Sequence, residues 1–358
     1  MLAHNNIVLL SSVCPGMLDG QRNINGLPVF VSTLPGGGAL LERVALLPAE
    51  QRGRSVAVVT LLTDRLDRSQ LSALRTLLPQ LKLIANYAVG FNNIDVQAAR
   101  ELNLAVTNTP GVLGDATADL TMTLILMVTR RVWNGALELH QQGRFAGWSP
   151  DYGLGMDLKG KMLGIVGWGD IGQRVAARAR AFGMSVVALQ SVRSASVASS
   201  LPSKGDPQKG AVGDEDEVAR GEVQRLPEES FLKAVDILSF HCPLTPQTQG
   251  WLHAGRLAQM RRGSIVINTS RGEVVDESAL AHALRLGHLL GAGLDVFCGE
   301  PVVSEALRGV PNLVILPHLG SATIETRTAM SRCVMENVGA LLAGEWPLPT
   351  QVNAKELQ

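Results

Sequence analysis

Short apolar runs alternate with amphipathic stretches along this chain, and the alternation predicts β-strands joined by helices in parallel α/β layers. The N-terminal part has predicted strands at Ile7–Leu10, Ser55–Leu62, Leu81–Ala85 and Ala105–Val106, and predicted helices at Arg68–Leu78 and Ile94–Leu102. Later strands are predicted at Met162–Val166, Ser185–Leu189, Ala234–His241, Gly263–Asn268, Gly291–Phe297 and Val314–Leu316. The later helices are predicted at Gln173–Gly183, at Glu277–Leu286 and from Ser321 towards Leu342.

Two stretches depart from this alternation. Asp119–Val132 is apolar over most of a helical surface, which predicts a buried helix and is also typical of a subunit contact. Residues 191–225 are rich in Ser, Gly, Lys, Asp and Glu without an apolar period, which predicts an inserted surface loop. The 358 residues are enough for two domains.

Composition narrows the class of protein. Lys+Arg and Asp+Glu are equal at 32 each, so no charge excess favours nucleic acid or an anionic membrane. The longest apolar segment, near Leu120–Val128, is too short to span a bilayer. The four cysteines have neither zinc-type nor disulfide-framework spacing, and no signal peptide is evident. We therefore expect a cytoplasmic protein with buried thiols and no bound metal.

A glycine motif follows the strand predicted at Met162–Val166. Gly167, Gly169 and Gly172 form G-x-G-x-x-G, and a helix and a second strand follow. In this pattern the first glycine permits a sharp turn, the second lets the backbone approach a pyrophosphate, and the third lets the helix pack on the strand. The strand–turn–helix–strand context predicts a dinucleotide site.

Three charged side chains follow later predicted strands. Arg271 lies in NTSRGEVVDESAL, Glu300 in GLDVFCGEP and His318 in LPHLGSAT. An arginine can hold a substrate carboxylate with both arms of its guanidinium, and a histidine can give a proton to a carbonyl oxygen. A glutamate beside that histidine would orient the ring and raise its pKa. Such a set is typical of a site that binds an acid and transfers a proton.

These motifs resemble the D-isomer-specific 2-hydroxyacid dehydrogenases. The resemblance extends over nearly the whole chain through ANYAVGFNNID, NTPGVLGDATADLT, the glycine loop, HCPLTPQT and the three segments above. ANYAVG, DATADL, GRFAGWSP and LPHLGSAT are most similar to the glyoxylate/hydroxypyruvate reductase branch. The resemblance implies two doubly wound parallel-sheet domains. A flavodoxin-like substrate domain is split between residues 1–111 and 321–358, and a Rossmann nucleotide-binding domain covers 112–320.

The resemblance also implies roles for particular residues. Arg271, Glu300 and His318 would be catalytic, and Arg271 would bind the substrate carboxylate together with backbone N–H groups at Val89 and Gly90. His241 would lie near the cofactor without acid–base work. One departure concerns local charge, because the family usually has Asp where this chain has Asn92. The expected cofactor contacts are Gly167, Trp168, Gly169, Asp170, Ile171, Gly172, Gln190, Ser191, Arg193, Pro243, Thr248, Thr269, Asp295 and Gly320.

The choice of cofactor depends on the end of the second nucleotide strand. NAD-specific sites place an acidic residue there to bind the ribose 2′-OH, and this chain has Gln190 instead. No carboxylate would repel a 2′-phosphate, and Ser191 and Arg193 could bind one. NADP(H) is therefore favoured, and NAD(H) remains open because the insert begins here.

The predicted function is reduction of glyoxylate or hydroxypyruvate to the D-2-hydroxy acid. A 3-phosphoglycerate dehydrogenase-like enzyme and a dinucleotide-sensing corepressor on the same fold are the alternatives. We also expect a homodimer built largely on the Asp119–Val132 helix and its neighbours in the nucleotide domain, with no nucleic-acid or membrane partner. In that dimer Tyr152 either reaches the partner's cleft or packs within its own subunit.

Overall fold

A computed structural model describes residues 6–17, 19–24, 26–36, 38–190 and 223–354. The chain divides into two compact units. The first unit comprises Met1–Leu113 and Ser321–Gln358, and the second comprises Gly114–Gly320. The first unit is therefore assembled from both ends of the sequence.

The first unit is built on a six-stranded sheet. Its strands are β1 (Asn6–Leu10), β2 (Gly20–Ile24), β3 (Leu27–Thr33), β4 (Ser55–Thr60), β5 (Leu83–Asn86) and β6 (Ala105–Thr107). They lie in the order β2-β3-β1-β4-β5-β6, and only β2 runs antiparallel, to β3. Without this edge strand the order is that of a flavodoxin-like sheet. The sequence did not predict β2 or β3. β2 (GQRNI) is polar and lies at an edge.

Helices cover both faces of this sheet. They are α1 (Leu40–Ala45), α2 (Ala49–Arg54), α3 (Arg68–Leu77), α4 (Val96–Glu101) and, from the C-terminal end, the long helix Ile324–Ala343. In β1, Ile7 and Leu9 pack in the core on the α3 side, while Val8 and Leu10 pack against the long helix. The alternation along β1 therefore buries both faces, as the doubly wound arrangement requires.

The second unit is built on a seven-stranded parallel sheet. Its strands are β7 (Met162–Val166), β8 (Ser185–Leu189), β9 (Gln224–Leu226), β10 (Ile237–Phe240), β11 (Ser264–Asn268), β12 (Leu289–Leu294) and β13 (Leu313–Ile315). The spatial order of the strands is β9-β8-β7-β10-β11-β12-β13. The chain adds strands from β7 towards β9 on one side, and then from β10 towards β13 on the other side, so the order of addition reverses between β7 and β10. This is the Rossmann order, and ligands of such sheets bind at the carboxyl ends of the strands beside the reversal. The predicted fold class is confirmed.

Six α-helices lie among the described residues of the second unit, and the sequence predicted three of them, α5, α7 and α10. They are α5 (Gly114–Thr129), α6 (Val132–Gln142), α7 (Asp170–Ala181), α8 (Glu228–Ala234), α9 (Ala254–Leu257) and α10 (Glu277–Arg285). A helix is present where Asp119–Val132 was predicted, but it ends at Thr129, because Arg131 has a left-handed φ of 51° and separates α5 from α6. Most apolar residues of α5 are buried within the unit, so its composition does not require a partner subunit. The long helix of the first unit follows as α11.

Three of the four cysteines, Cys14, Cys242 and Cys333, are buried, whereas Cys298 is half-buried; all four are free thiols. No helix among the described residues is long and apolar enough to cross a membrane. The same residues contain no cluster of His, Cys, Asp and Glu side chains suited to a metal ion.

Candidate active site

The glycine loop lies at the carboxyl end of β7, beside the reversal of strand order. Gly167 has a φ of 102°, which disfavours residues with a side chain. A Cβ on Gly167 would also lie 2.6 Å from the backbone nitrogen of Cys242. The first glycine of the motif is therefore required by its own conformation and by the chain that follows β10.

The other two glycines differ from each other in what surrounds them. A Cβ on Gly172 would lie 2.3 Å from the Gly167 carbonyl oxygen, so this glycine lets α7 pack closely on the loop. A Cβ on Gly169 would meet nothing within 4 Å. Gly169 precedes α7, whose first N–H groups favour a bound phosphate. These three environments fit a dinucleotide pyrophosphate.

Glu300 and His318 form a hydrogen-bonded pair. Glu300 Oε2 lies 2.8 Å from His318 Nδ1, and Glu300 Oε1 accepts a bond from the Phe297 N–H at 3.1 Å. Burial raises the pKa of Glu300, but the bond and charge of His318, the Phe297 N–H and the charge of Arg271 together hold it below its usual value. The ionised carboxylate therefore fixes the ring, and within the described chain Nε2 of His318 has no partner.

Asp295 organises the turn that carries His318. Its buried carboxylate accepts bonds from the Leu319 N–H at 2.6 Å and the Gly320 N–H at 2.8 Å, and its carbonyl accepts from the His318 N–H at 3.0 Å. Burial raises the pKa of Asp295. His318 itself has a left-handed φ of 55°, which costs a residue with a side chain some stability. These three hydrogen bonds hold this backbone conformation.

Asn268 organises the turn that carries Arg271, and the sequence did not single it out. Asn268 is fully buried at the end of β11; its Nδ2 donates to the Arg271 carbonyl at 2.8 Å, and its Oδ1 accepts two bonds from Ser270. A Cβ on Gly272 would lie 2.1 Å from the Phe297 carbonyl carbon. The Arg271 turn and the segment leading to Glu300 are thus in backbone contact.

Burial lowers the pKa of Arg271, and the charges of Glu300 and Glu273 oppose that effect. The guanidinium remains protonated at any physiological pH. Its Nη1 donates to the Ser270 carbonyl at 2.6 Å. The structure therefore brings a half-buried cation, a carboxylate and a histidine to one edge of the second sheet.

Glu277 is a second residue that sequence reasoning missed. It is buried at the start of α10 and accepts bonds from the Cys298 N–H and the Ser304 hydroxyl, both at 2.6 Å. These bonds fix both ends of the loop that contains Glu300. Burial, followed by the charges of Glu277 and Glu273, raises the pKa of Cys298 to about 12. This thiol is therefore protonated and unreactive.

His241 is half-buried after β10 and joins a chain of buried hydroxyl groups. Its Nε2 lies 2.8 Å from the Ser239 hydroxyl and its Nδ1 lies 3.4 Å from the Thr269 hydroxyl, which in turn lies 3.0 Å from that of Thr121. Burial lowers the pKa of His241 to about 3. The ring is therefore neutral at physiological pH, which suits a structural position rather than acid–base work.

The remaining predicted cofactor residues follow the ends of strands in the same sheet. Trp168 and Ile171 pack partly against the core, Asp170 bonds Arg174 at 2.9 Å, and the Gly320 carbonyl accepts from Thr117 at 3.2 Å. Thr248 uses its hydroxyl within its own loop, donating to the Pro243 carbonyl at 2.7 Å. Gln190 is exposed after β8. Ser191 and Arg193 lie outside the described residues.

Val89 and Gly90, predicted to bind the substrate carboxylate, lie in the first unit. They are half-buried in the loop that follows β5. This position, after the carboxyl end of a parallel strand, is typical of ligand-binding loops.

Comparison with known proteins agrees with the geometry. The family model described as "D-isomer specific 2-hydroxyacid dehydrogenase, NAD binding domain" matches residues 122–320. A glyoxylate reductase of Thermococcus litoralis is 41% identical over 323 residues, covering 89% of this chain and 87% of that protein.

Two solved structures extend the comparison. The crystal structure of a glyoxylate reductase from Paecilomyes thermophila is 30% identical with a TM-score of 0.76, covering 98% of this chain and 99% of that one. An NADPH-dependent glyoxylate/hydroxypyruvate reductase from Sinorhizobium meliloti, in complex with NADP and malonate, is 29% identical with a TM-score of 0.72, covering 98% of both chains. The chain therefore belongs to the D-isomer specific 2-hydroxyacid dehydrogenase family, and it is an NAD(P)-dependent 2-hydroxyacid dehydrogenase.

Proposed function

We propose that this enzyme reduces glyoxylate or hydroxypyruvate to the corresponding D-2-hydroxy acid with NADPH. The observation that carries the proposal is the Glu300–His318 pair beside the half-buried Arg271. The curated name of the Thermococcus litoralis relative supports the substrate class. No observation in the described chain favours the 3-phosphoglycerate dehydrogenase or corepressor alternatives over it.

The bound nicotinamide supplies the hydride, and the protein's own residues bind the acid and move the proton. Arg271 holds the substrate carboxylate through its planar guanidinium, because two parallel N–H bonds match two carboxylate oxygens. His318 is bonded to Glu300 through Nδ1, so Nε2 is the nitrogen that gives its proton to the carbonyl oxygen. The hydrogen bond to Glu300 keeps the ring in its orientation during this transfer.

NADPH is favoured over NADH by the residue that follows β8. Gln190 occupies the position where NAD-specific sites have an acid, and it carries no charge to repel a 2′-phosphate. The Sinorhizobium meliloti neighbour is described as NADPH-dependent, which supports the same preference. Ser191 and Arg193 are assigned to the 2′-phosphate on sequence position alone.

The proposal also includes a homodimer, which rests on exposed side chains that follow α5 in the chain rather than on α5 itself. On α6 and the segment after it, several large apolar side chains are exposed: Val132, Trp133, Leu139, Phe145, Trp148 and Leu154. Tyr152 is bonded within its own chain, with its hydroxyl donating to Glu138 at 2.7 Å and its ring packed on Phe145. Sedimentation velocity at micromolar protein tests this part, and a stable, active monomer contradicts it.

The activity is tested with purified protein by following the loss of absorbance as the reduced nicotinamide is oxidised. Glyoxylate, hydroxypyruvate and pyruvate are each offered with NADPH and with NADH. We expect the highest kcat/KM with glyoxylate or hydroxypyruvate and NADPH, because the cofactor site lacks the acid that rejects a 2′-phosphate. No turnover with any of the three acids would contradict the proposed reaction, and a preference for NADH would contradict the cofactor assignment alone.

A further inference from the structure

The loop Ala88–Gly90 is tied to the first unit through its carbonyl oxygens. Each oxygen accepts one hydrogen bond from a residue behind the loop: Ala88 from the Thr109 N–H at 2.9 Å, Val89 from Asn108 Nδ2 at 2.8 Å and Gly90 from Asn86 Nδ2 at 2.8 Å. Three consecutive carbonyl groups therefore have fixed directions. Such a run is unusual in a loop, because loop carbonyls commonly bond to water.

Fixing these carbonyls also fixes the neighbouring N–H groups. In a planar trans peptide the N–H points opposite to the carbonyl of the preceding residue. The peptide bonds of this loop are trans. The Ala88 carbonyl therefore sets the direction of the Val89 N–H, and the bond from Asn108 to the Val89 carbonyl sets the direction of the Gly90 N–H, away from Asn108.

The two N–H groups set in this way have no acceptor in the described part of the chain. Val89 and Gly90 are half-buried, while the preceding N–H, that of Ala88, already donates to the Asn86 carbonyl at 2.8 Å. Backbone donors that are partly withdrawn from water favour an acceptor, and a carboxylate is the strongest one. The loop is thus preorganised as an anion-binding pair.

Asn108 is itself held in place by the C-terminal part of the chain. The Thr350 hydroxyl donates to the Asn108 carbonyl at 2.6 Å. Thr350 is held in turn by the fully buried Asn337 of α11, through bonds of 2.9 Å and 3.0 Å. The segment that returns from the second unit therefore immobilises the residue behind the loop.

Asn86 has a different effect on the loop. Its Oδ1 accepts bonds from the Thr60 hydroxyl and from Asn93, both at 3.2 Å, which turns Nδ2 towards Gly90. Through the Gly90 carbonyl it sets the N–H of Phe91, and not the pair at Val89 and Gly90. Asn108 is the side chain that acts on the pair directly.

We propose that Asn108 is a positioning residue for substrate binding, which aims the Gly90 N–H at the carboxylate of the 2-oxo acid. This assignment rests on the proposed function. Asn108 acts through the Val89 carbonyl and does not touch the substrate. Its loss removes a contact that is the same in the ground state and the transition state, so it raises KM and leaves kcat nearly unchanged.

The experiment compares the full-length enzyme with Asn108→Ala and Asn108→Asp. The aspartate has the same size and lacks the donor at neutral pH, so it covers the case in which the alanine variant does not fold. We expect the glyoxylate KM to rise by about 10-fold or more in both, with kcat within about threefold and the NADPH KM within about twofold of wild type.

Asn353→Ala is the matched control. Asn353 is also a buried amide of the first unit that bonds backbone, at Val106 and Leu104, but it has no bond to the loop. The Asn353→Ala substitution should lower the unfolding temperature and leave the glyoxylate KM within about twofold of the wild-type value. A wild-type glyoxylate KM in the Asn108 variants overturns the positioning role while the proposed function stands. A wild-type enzyme that reduces no 2-oxo acid overturns both.

Discussion

Glu300 holds His318 through a 2.8 Å hydrogen bond between Oε2 and Nδ1, although the two residues come from different strand ends of the second sheet. The bond determines which ring nitrogen is available, because Nδ1 is occupied by the carboxylate. It also depends on two supports. Glu277 fixes the loop of Glu300, and Asp295 fixes the turn of His318.

The first prediction concerns acid stability. The pKa of Glu300 lies below its ordinary value of 4.5 in the folded protein. Its ionised form therefore stabilises the fold above that value, and this stability is lost as the pH falls through the lower folded pKa. The unfolding temperature of the wild type should therefore fall as the pH drops through that acidic range. Glu300→Gln has no such group to titrate, so its unfolding temperature should depend less on pH there. If the unfolding temperatures of the two proteins depended on pH in the same way, the assignment of this acid dependence to Glu300 would be wrong.

The second prediction uses two glycines of one motif. Gly172→Ala places a Cβ 2.3 Å from the Gly167 carbonyl oxygen, so we expect a loss of about 1–3 kcal/mol or more in the free energy of unfolding. Gly169→Ala meets nothing within 4 Å and should fold normally. Its methyl group would occupy the space through which a pyrophosphate approaches the backbone, so NADPH binding should weaken. Urea unfolding and fluorescence titration with NADPH measure the two effects. Normal NADPH affinity in Gly169→Ala would contradict the placement of the pyrophosphate.

The third prediction tests the support of the His318 turn. Asp295→Asn keeps the shape but replaces one carboxylate oxygen by an NH₂ group that faces a backbone N–H. We expect a loss of about 1–3 kcal/mol in the free energy of unfolding, because a buried donor is left unsatisfied. The turnover number should fall as well, since His318 loses its fixed backbone. Urea unfolding and steady-state kinetics report the two changes. Wild-type values of both would show that the turn holds its conformation without the carboxylate.

The fourth prediction concerns the cofactor. Arg193→Ala should weaken NADPH binding by about 1.5–3 kcal/mol and leave NADH binding nearly unchanged, because only NADPH has the 2′-phosphate. The ratio of kcat/KM for the two cofactors is the measurement. Arg180→Ala, on α7 and outside the proposed contacts, serves as a surface-charge control. An unchanged ratio in Arg193→Ala would exclude this residue from cofactor recognition.

Much of the fold could be predicted because the information is local. The strands Met162–Val166 and Ser185–Leu189 have the predicted bounds, since a buried parallel strand is a continuous apolar run between turn residues. Arg271, Glu300 and His318 follow such runs, so their motifs could be read directly. The polar strand β2 has no such run, and its pairing with β3 depends on the whole sheet.

Other features depend on tertiary contacts that no spacing encodes. Asn268 and Asn108 act on backbone carbonyls of turns, and an isolated asparagine is more typical of an ordinary loop. The break between α5 and α6 falls at Arg131, whose left-handed φ is uncommon for a residue with a side chain. The apolar face of α5 indicated burial correctly, but its burying surface proved to be the sheet and α7 of its own unit.

The central claim is that His318 supplies the proton, and turnover by His318→Asn tests it most directly. Asparagine tolerates the left-handed backbone found at this position, so the turn should survive while the acid is lost. Stopped-flow and steady-state assays with glyoxylate and NADPH should show kcat lowered by about 10²–10⁴-fold, with an unchanged NADPH affinity and a modestly lower unfolding temperature, because Glu300 loses its hydrogen-bond partner. A kcat within about threefold of wild type would contradict the assignment of His318 as the proton donor.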